Sequence, residues 1–348
     1  MCNPNKLTTR ILLAGATLLA GFAAFTVRAD YSNTVASFNP LAYWRFNETA
    51  ASPALNKVAN SSTMGSVLDG YAVADATLGE AGIVGNSVRL SNAGSAAGYC
   101  KGKIDVPWNA ALNKAGAFSL EFWMKPATLA DGTGMAVVSS MMNDFVASSR
   151  VGYLVYVNVN GRFEFRLGNA NGYVGTVNTG SATPKAVVGS RCHVVCTFDG
   201  AVNRVYVNGV NEANLTLTAA QIAGLKQNTQ MPFRVCGTPF NGTLSAEDIP
   251  WVSAGGVSGN RAFDGWVDEV AYYSTALSTN TTHAHYSAAA TNNAGYHAQI
   301  LADSPVGFWS YEEAAAVPPS AASLPIAANS GSLGMLVDGT NKIGRAHV

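Results

Sequence analysis

A block of this chain occurs twice, and that limits what the chain can fold into. Pro40-Leu-Ala-Tyr-Trp-Arg-Phe-Asn-Glu48 returns as Pro305-Val-Gly-Phe-Trp-Ser-Tyr-Glu-Glu313. The match resumes downstream, where Asn60, Ser61, Gly65, Asp69 and Gly70 pair with Asn329, Ser330, Gly334, Asp338 and Gly339. So long a period is that of a whole domain, not of a small solenoid unit. The repeat implies one complete domain over 30–290, a linker over 291–297 and the start of a second, truncated copy over 298–341. Residues 342–348 have a reverse translation that matches the opening of a common sequencing-library adapter, and they are excluded from fold reasoning.

The N-terminus reads as a secretory signal over 1–29. Lys6 and Arg10 precede an apolar run from Ile11 to Phe25, which is short for a membrane span, and Val27-Arg28-Ala29 offers a cleavage site. An N-terminal anchor helix is the competing reading. Cleavage removes three of the 21 basic residues and none of the 21 acidic ones, leaving a net charge of −3. That argues against nucleic acid, which needs a concentrated basic face. With the signal removed, nothing calls for membrane insertion. The expected location is secreted, cell-surface or periplasmic.

The secondary-structure signal is of short strands. Phe118, Leu120, Phe122 and Met124 alternate with Glu121, Trp123 and Lys125, so one face is apolar by the period of two. Runs at 86–90, 103–106, 151–158, 162–167, 192–198, 202–208, 233–236 and 265–273 read the same way. Val159-Asn160-Gly161 and Asp199-Gly200 supply turns between neighbouring runs. Many short strands joined by turns predict an all-β antiparallel two-sheet sandwich. One further helix is predicted from Ser278, a capping residue, to about Ala290. Gly237 to Ala262 is too long for a hairpin loop, and long loops on rigid sandwiches often carry function. Cys100, Cys192, Cys196 and Cys236 remain after signal removal. They allow three disulfide connectivities, or stand as buried thiols.

Five motifs, in order, resemble the laminin-G-like jelly-roll modules of the concanavalin A-like lectin/glucanase superfamily, in the form repeated in exported bacterial proteins. They are Pro40 to Glu48; Asn60 through Asp69-Gly70; Phe118-Ser-Leu-Glu-Phe-Trp-Met-Lys-Pro126; His193-Val-Val-Cys-Thr-Phe-Asp-Gly200 with Val205-Tyr-Val-Asn-Gly209; and Phe263-Asp-Gly-Trp-Val-Asp-Glu-Val270 with Ala276-Leu-Ser278. One departure is Cys192, where the family often has Trp. The resemblance implies a jelly-roll sandwich and a role in binding, adhesion or display, without fixing the ligand.

Glycoside hydrolysis needs paired carboxylates about 5–9 Å apart. Here Glu121 and Glu164 each stand alone on a strand, Asp268 and Glu269 point to opposite faces by alternation, and Glu247-Asp248 falls in a loop. No catalytic residue is expected. The resemblance implies a structural Ca²⁺ where the first and last strands meet, with Glu48, Asn60 and Asp268 as candidate ligands. The competing reading pairs Glu48 with Arg45 or Lys57 and gives Asp268 to backbone amides. For a glycan, aromatic faces beside carboxylates are needed. Trp108, Tyr173 and Trp251, near expected loops, with Glu247 and Asp248, are the candidate ligand-binding residues. The leading expectation is a non-catalytic module that binds a glycan or an extracellular-matrix or cell-surface component. A structural spacer, or the accessory module of an enzyme whose catalytic domain lies elsewhere, are the alternatives.

Overall fold

The computed structural model describes residues 57–313, apart from 74, 93–101, 130–133, 145–148, 170–171, 179–184, 230, 238–260 and 291–294, together with 326–327 and 339–340. The candidates Glu48, Glu247, Asp248 and Trp251, the signal segment and Cys100 lie outside the described residues. The chain divides into two compact units, 1–53 with 324–342, and 54–323 with 343–348. In the first unit the described residues form a two-stranded antiparallel ladder, Ile326–Ala327 with Gly339–Thr340.

The second unit is an all-β jelly-roll sandwich. One sheet runs β1 (Lys57–Val58), β2 (Gly70–Val73), β5 (Lys103–Val106), β14 (Phe233–Val235), β7 (Met135–Asp144), β8 (Ser149–Val157), β9 (Phe163–Asn169) and β10 (Gly172–Asn178). A two-residue strand, β15 (Arg261–Ala262), adds to β7 in parallel. The other sheet runs β13 (Val210–Thr216), β12 (Val202–Val207), β11 (Cys192–Phe198), β6 (Phe118–Pro126), β16 (Gly265–Tyr273), β4 (Asn86–Leu90) and β3 (Ala76–Ala81). A last strand, β17 (Gly307–Trp309), pairs with β16.

Alternation decides the core. Phe118, Leu120, Phe122 and Met124 of β6 meet Val194, Cys196 and Phe198 of β11 and Val205 and Val207 of β12 on one inner face. Tyr153, Val155 and Val157 of β8 and Phe163, Phe165 and Leu167 of β9 fill it from the other sheet. Each such side chain stabilises the fold by about 1.5–3 kcal/mol through burial. Cys192 and Cys196 are free, buried thiols of this core. Burial pushes the Cys192 thiol up to about 12 and Cys196 higher still.

Much of the second sheet's far side is shielded from water. After a short helix α1 (Ala219–Ala223), helices α2 (Thr279–Ala290) and α3 (Tyr296–Ala302) lie over this sheet, and Tyr206, Ala271, Tyr273, Trp123, Tyr296, Ile300 and Phe308 form a second apolar cluster with them. Ser278 Oγ accepts a bond from Thr281 N–H at 3.1 Å, capping the first turn of α2 as the sequence suggests. Residues 296–313, which the repeat assigns to the linker and second copy, pack on this sandwich. Among the described residues no helix is long and apolar enough to cross a membrane.

Candidate functional site

Three constellations lie outside the main core. The first is the outer face of β8–β10. Side chains there alternate with the core set, so Tyr156, Glu164, Arg166 and Tyr173 share the face away from β6. The guanidinium of Arg150 lies 4.1 Å from the centre of the Tyr173 ring, and that of Arg166 lies 4.8 Å from it. Arg166 also covers the Tyr156 ring at 4.8 Å, while its Nε donates to Glu164 Oε2 at 3.0 Å. The result is a half-buried phenol ring set among two cations and a carboxylate. Trp108, the other described aromatic candidate, is 37% exposed and donates from Nε1 to the Asn228 carbonyl at 3.1 Å. Trp108 follows β5, which lies five strand positions from the β10 of Tyr173. At about 4.8 Å per strand the two cannot share one small ligand.

The second is an acidic centre where β16, α3 and the segment after β17 meet. A bulge after Asp268 breaks the pairing of β16 with β6, and Glu269 adopts φ 53°. The bulge undoes simple alternation. Asp268 and Glu269 are both buried, at 4% and 0% exposure. Asp268 Oδ2 accepts from Ile83 N–H at 2.7 Å, and Oδ1 has no hydrogen-bond partner. Glu269 Oε1 lies 2.7 Å from His297 Nε2, and Oε2 has no partner. His297 Nε2 also lies 3.9 Å from Glu312 Oε1. Glu269, His297 and Glu312 each offer one ligand atom, and the three atoms lie within 4.8 Å of one another. Burial, then the Glu312 charge, pushes the Glu269 carboxyl up to about 9. Burial, then the Glu269 charge, pushes Asp268 well up too.

Of the metal candidates named from the sequence, Asp268 adjoins this centre as the neighbour of Glu269, without being one of its three clustered groups. Asn60 sits in a different set of contacts. Its Oδ1 accepts from Phe308 N–H at 2.8 Å and from Ser62 N–H at 3.3 Å, and its Nδ2 donates to Gly65 O at 2.8 Å. Glu313, the repeat counterpart of Glu48, accepts from Ala59 N–H at 2.6 Å through Oε1 and leaves Oε2 unpartnered. Glu269, His297 and Glu312 were not legible as a group, because alternation assigns Asp268 and Glu269 to opposite faces and only the bulge changes that.

The third is a buried polar centre under the helices. Glu121, fully buried on β6, accepts from His193 Nε2 at 2.7 Å through Oε1, and from His285 Nδ1 at 2.9 Å and Tyr273 OH at 2.9 Å through Oε2. His285 Nε2 lies 2.8 Å from Asp303 Oδ2. Burial alone raises a carboxyl, yet the hydrogen bonds and charge of His193 and His285 outweigh it and hold Glu121 well below the usual range. Burial opposes charge on His285, but Glu121 and Asp303 outweigh it and raise that imidazole. The network ties α2 and α3 to the sheet.

Residues 97–283 match a laminin G-type family model of the concanavalin A-like lectin/glucanases superfamily. No curated protein matches the chain. Among solved structures, the chain is similar to the botulinum neurotoxin serotype C1 binding domain, at 12% identity and a TM-score of 0.47, over 68% of this chain and 52% of that one. It is similar also to the type C neurotoxin in a study of cell entry dependent upon two ganglioside molecules, at 13% identity and 0.47, over 68% and 51%. The binding domain of Paraclostridial Mosquitocidal Protein 1 gives 15% and 0.45, over 66% and 52%. The chain thus spans about half the length of these structures. With two packed antiparallel sheets in place and more than half of its length inside the matched family model, the chain belongs to the laminin G-type concanavalin A-like lectin/glucanases superfamily.

Proposed function

We propose that this chain is an exported, non-catalytic binding module, and that its ligand is a glycan held on the outer face of β8–β10. The observation that carries the reading is the Tyr173 ring between the Arg150 and Arg166 guanidiniums, with Glu164 beside them. The ring holds the two guanidiniums side by side, and guanidinium forks suit carboxylate or sulfate oxygens. An acidic saccharide therefore fits this face better than a neutral one. Two strand carboxylates among the described residues have other partners. Glu121 is sealed beneath two helices, and Glu164 is held by Arg166.

The test is a glycan array probed with the secreted chain and with Tyr173→Ala, Arg166→Ala and Trp108→Ala. Binding to acidic glycans that Tyr173→Ala and Arg166→Ala weaken at least tenfold, and Trp108→Ala leaves alone, supports the reading. No glycan bound above background would favour a spacer role.

We infer also that the acidic centre holds a divalent cation, with calcium the ion that the resemblance implies. Its support is the cluster of Glu269, His297 and Glu312, whose ligand atoms lie within 4.8 Å of one another, beside two buried carboxylate oxygens without a hydrogen-bond partner, Asp268 Oδ1 and Glu269 Oε2. Calcium takes oxygen ligands of this kind. His297 offers a nitrogen, which suits a transition ion better. Asp268, Glu269 and Glu312 would hold the ion, and its chemistry there would be charge neutralisation between strands.

A further inference from the structure

The sandwich is closed by a strand that the repeat assigns to the next copy. In β17, Trp309 pairs with Val270, Phe308 with Ala271 and Gly307 with Tyr272. On its other side the strand is clasped by the Asn60–Asp69 motif of the first copy. Ser61 N–H donates to Phe308 O at 2.8 Å, Asn60 Oδ1 accepts from Phe308 N–H at 2.8 Å, and Trp309 Nε1 donates to Leu68 O at 2.7 Å. Trp309 is 1% exposed and stacks on Phe233 with ring centres 5.0 Å apart.

In sequence, however, the Asn60–Asp69 motif follows its own Tyr43-Trp44 pair, within 40–48, as Asn329–Asp338 follows Phe308-Trp309. The two segments differ in sequence where the slot is tight. A Cβ on Gly307 would lie 2.5 Å from the Trp309 ring, and the first copy has Ala42 there. Ser310 is 8% exposed, and the first copy has Arg45 there, a charge that would need a buried partner.

We propose that this slot is a strand-acceptor site for the opening strand of the repeat that follows in the same chain, with 40–48 its weaker rival. Tandem modules are then interlocked rather than strung on free linkers: removal of the later copy's first strand opens the earlier sandwich. Asn329 and Ser330 repeat the clasp residues Asn60 and Ser61, so the second copy carries the same acceptor chemistry.

The test compares Trp309→Ala with Trp44→Ala in the full secreted chain. Trp309→Ala should lower the melting temperature by about 10 °C, as loss of a buried Trp does in a domain of this size, and Trp44→Ala should leave it within about 2 °C. A loss with Trp44→Ala equal to or larger than that with Trp309→Ala overturns the proposal. Two cysteine pairs give an independent reading under oxidation. Ala271→Cys with Phe308→Cys should cross-link within one chain. Cross-linking of Ala271→Cys with Tyr43→Cys instead, or covalent dimers from the first pair, would overturn the intrachain assignment.

Discussion

At the scale of single residues, Glu121 decides most. A carboxylate with no exposure is costly unless its charge is met, and here two imidazoles and the phenols of Tyr273 and Tyr296 meet it. Glu121→Gln removes one partner of a buried pair and should cost about 3–5 kcal/mol. The pH dependence has two limbs. Glu121 has a depressed folded value, so its contribution is present above about pH 4.3 and fades as pH falls below that. His285 has a raised folded value, so its contribution is full below about pH 6.5 and fades as pH rises through the folded value. Urea midpoints across pH should therefore show a plateau between about pH 4.3 and 6.5, and Glu121→Gln should flatten both limbs. A variant with the parent's profile would refute the coupling. The alternation of β6 already put Glu121 away from the core. What the sequence did not reveal is that this outer face is itself covered. No local period says where a C-terminal helix will lie, so His285 and Glu121 could not be joined from the sequence.

At the scale of elements, strands with one core face and one distinct face were the legible ones. The runs at 86–90, 103–106, 192–198 and 265–273 coincide with β4, β5, β11 and β16. Met135–Asp144 was not foreseen, because Met-Ala-Val-Val-Ser-Ser-Met-Met has no period of two. Ala136 and Met141 are buried on the outer face, Val137 and Val138 are buried in the core, and a bulge shifts the register between Ala136 and Val138. The polar edge strand Val210–Thr216 also gave no apolar signal. The β6 register has a direct check. Phe122 has no exposure and pairs with Val194, so Phe122→Ala should cost about 3–5 kcal/mol in chemical denaturation. A cost under about 1 kcal/mol would put that side chain outside the core. The cap of α2 is a smaller test. Ser278→Ala should cost about 1 kcal/mol, and a Ser278→Asp variant should recover it, because Asp accepts the same Thr281 N–H.

At the scale of the whole molecule, the acidic centre lies where the last long strand, the covering helix and the segment after the closing strand converge. Without a counter-ion, Asp268 and Glu269 are buried close to the Glu312 carboxylate, and burial and neighbouring charge raise both. Glu269 moreover holds φ 53°, a conformation that costs a non-glycine residue about 1–3 kcal/mol. The proposed cation would offset both the strain and the neighbouring charge. A cation that binds only the folded state adds about 2.7 kcal/mol at a hundredfold excess over its dissociation constant. For a domain of this size that is a rise of about 5–10 °C in melting temperature. Calcium should therefore raise the melting temperature, a chelator should lower it, and Asp268→Ala should abolish both responses. Zinc and manganese, run alongside, separate an oxygen-only site from one that uses His297: a response to zinc lost in His297→Ala assigns the nitrogen a ligand's role. If chelation and all three ions leave the melting temperature unchanged, the centre holds no metal, and Asp268 serves the Ile83 amide alone.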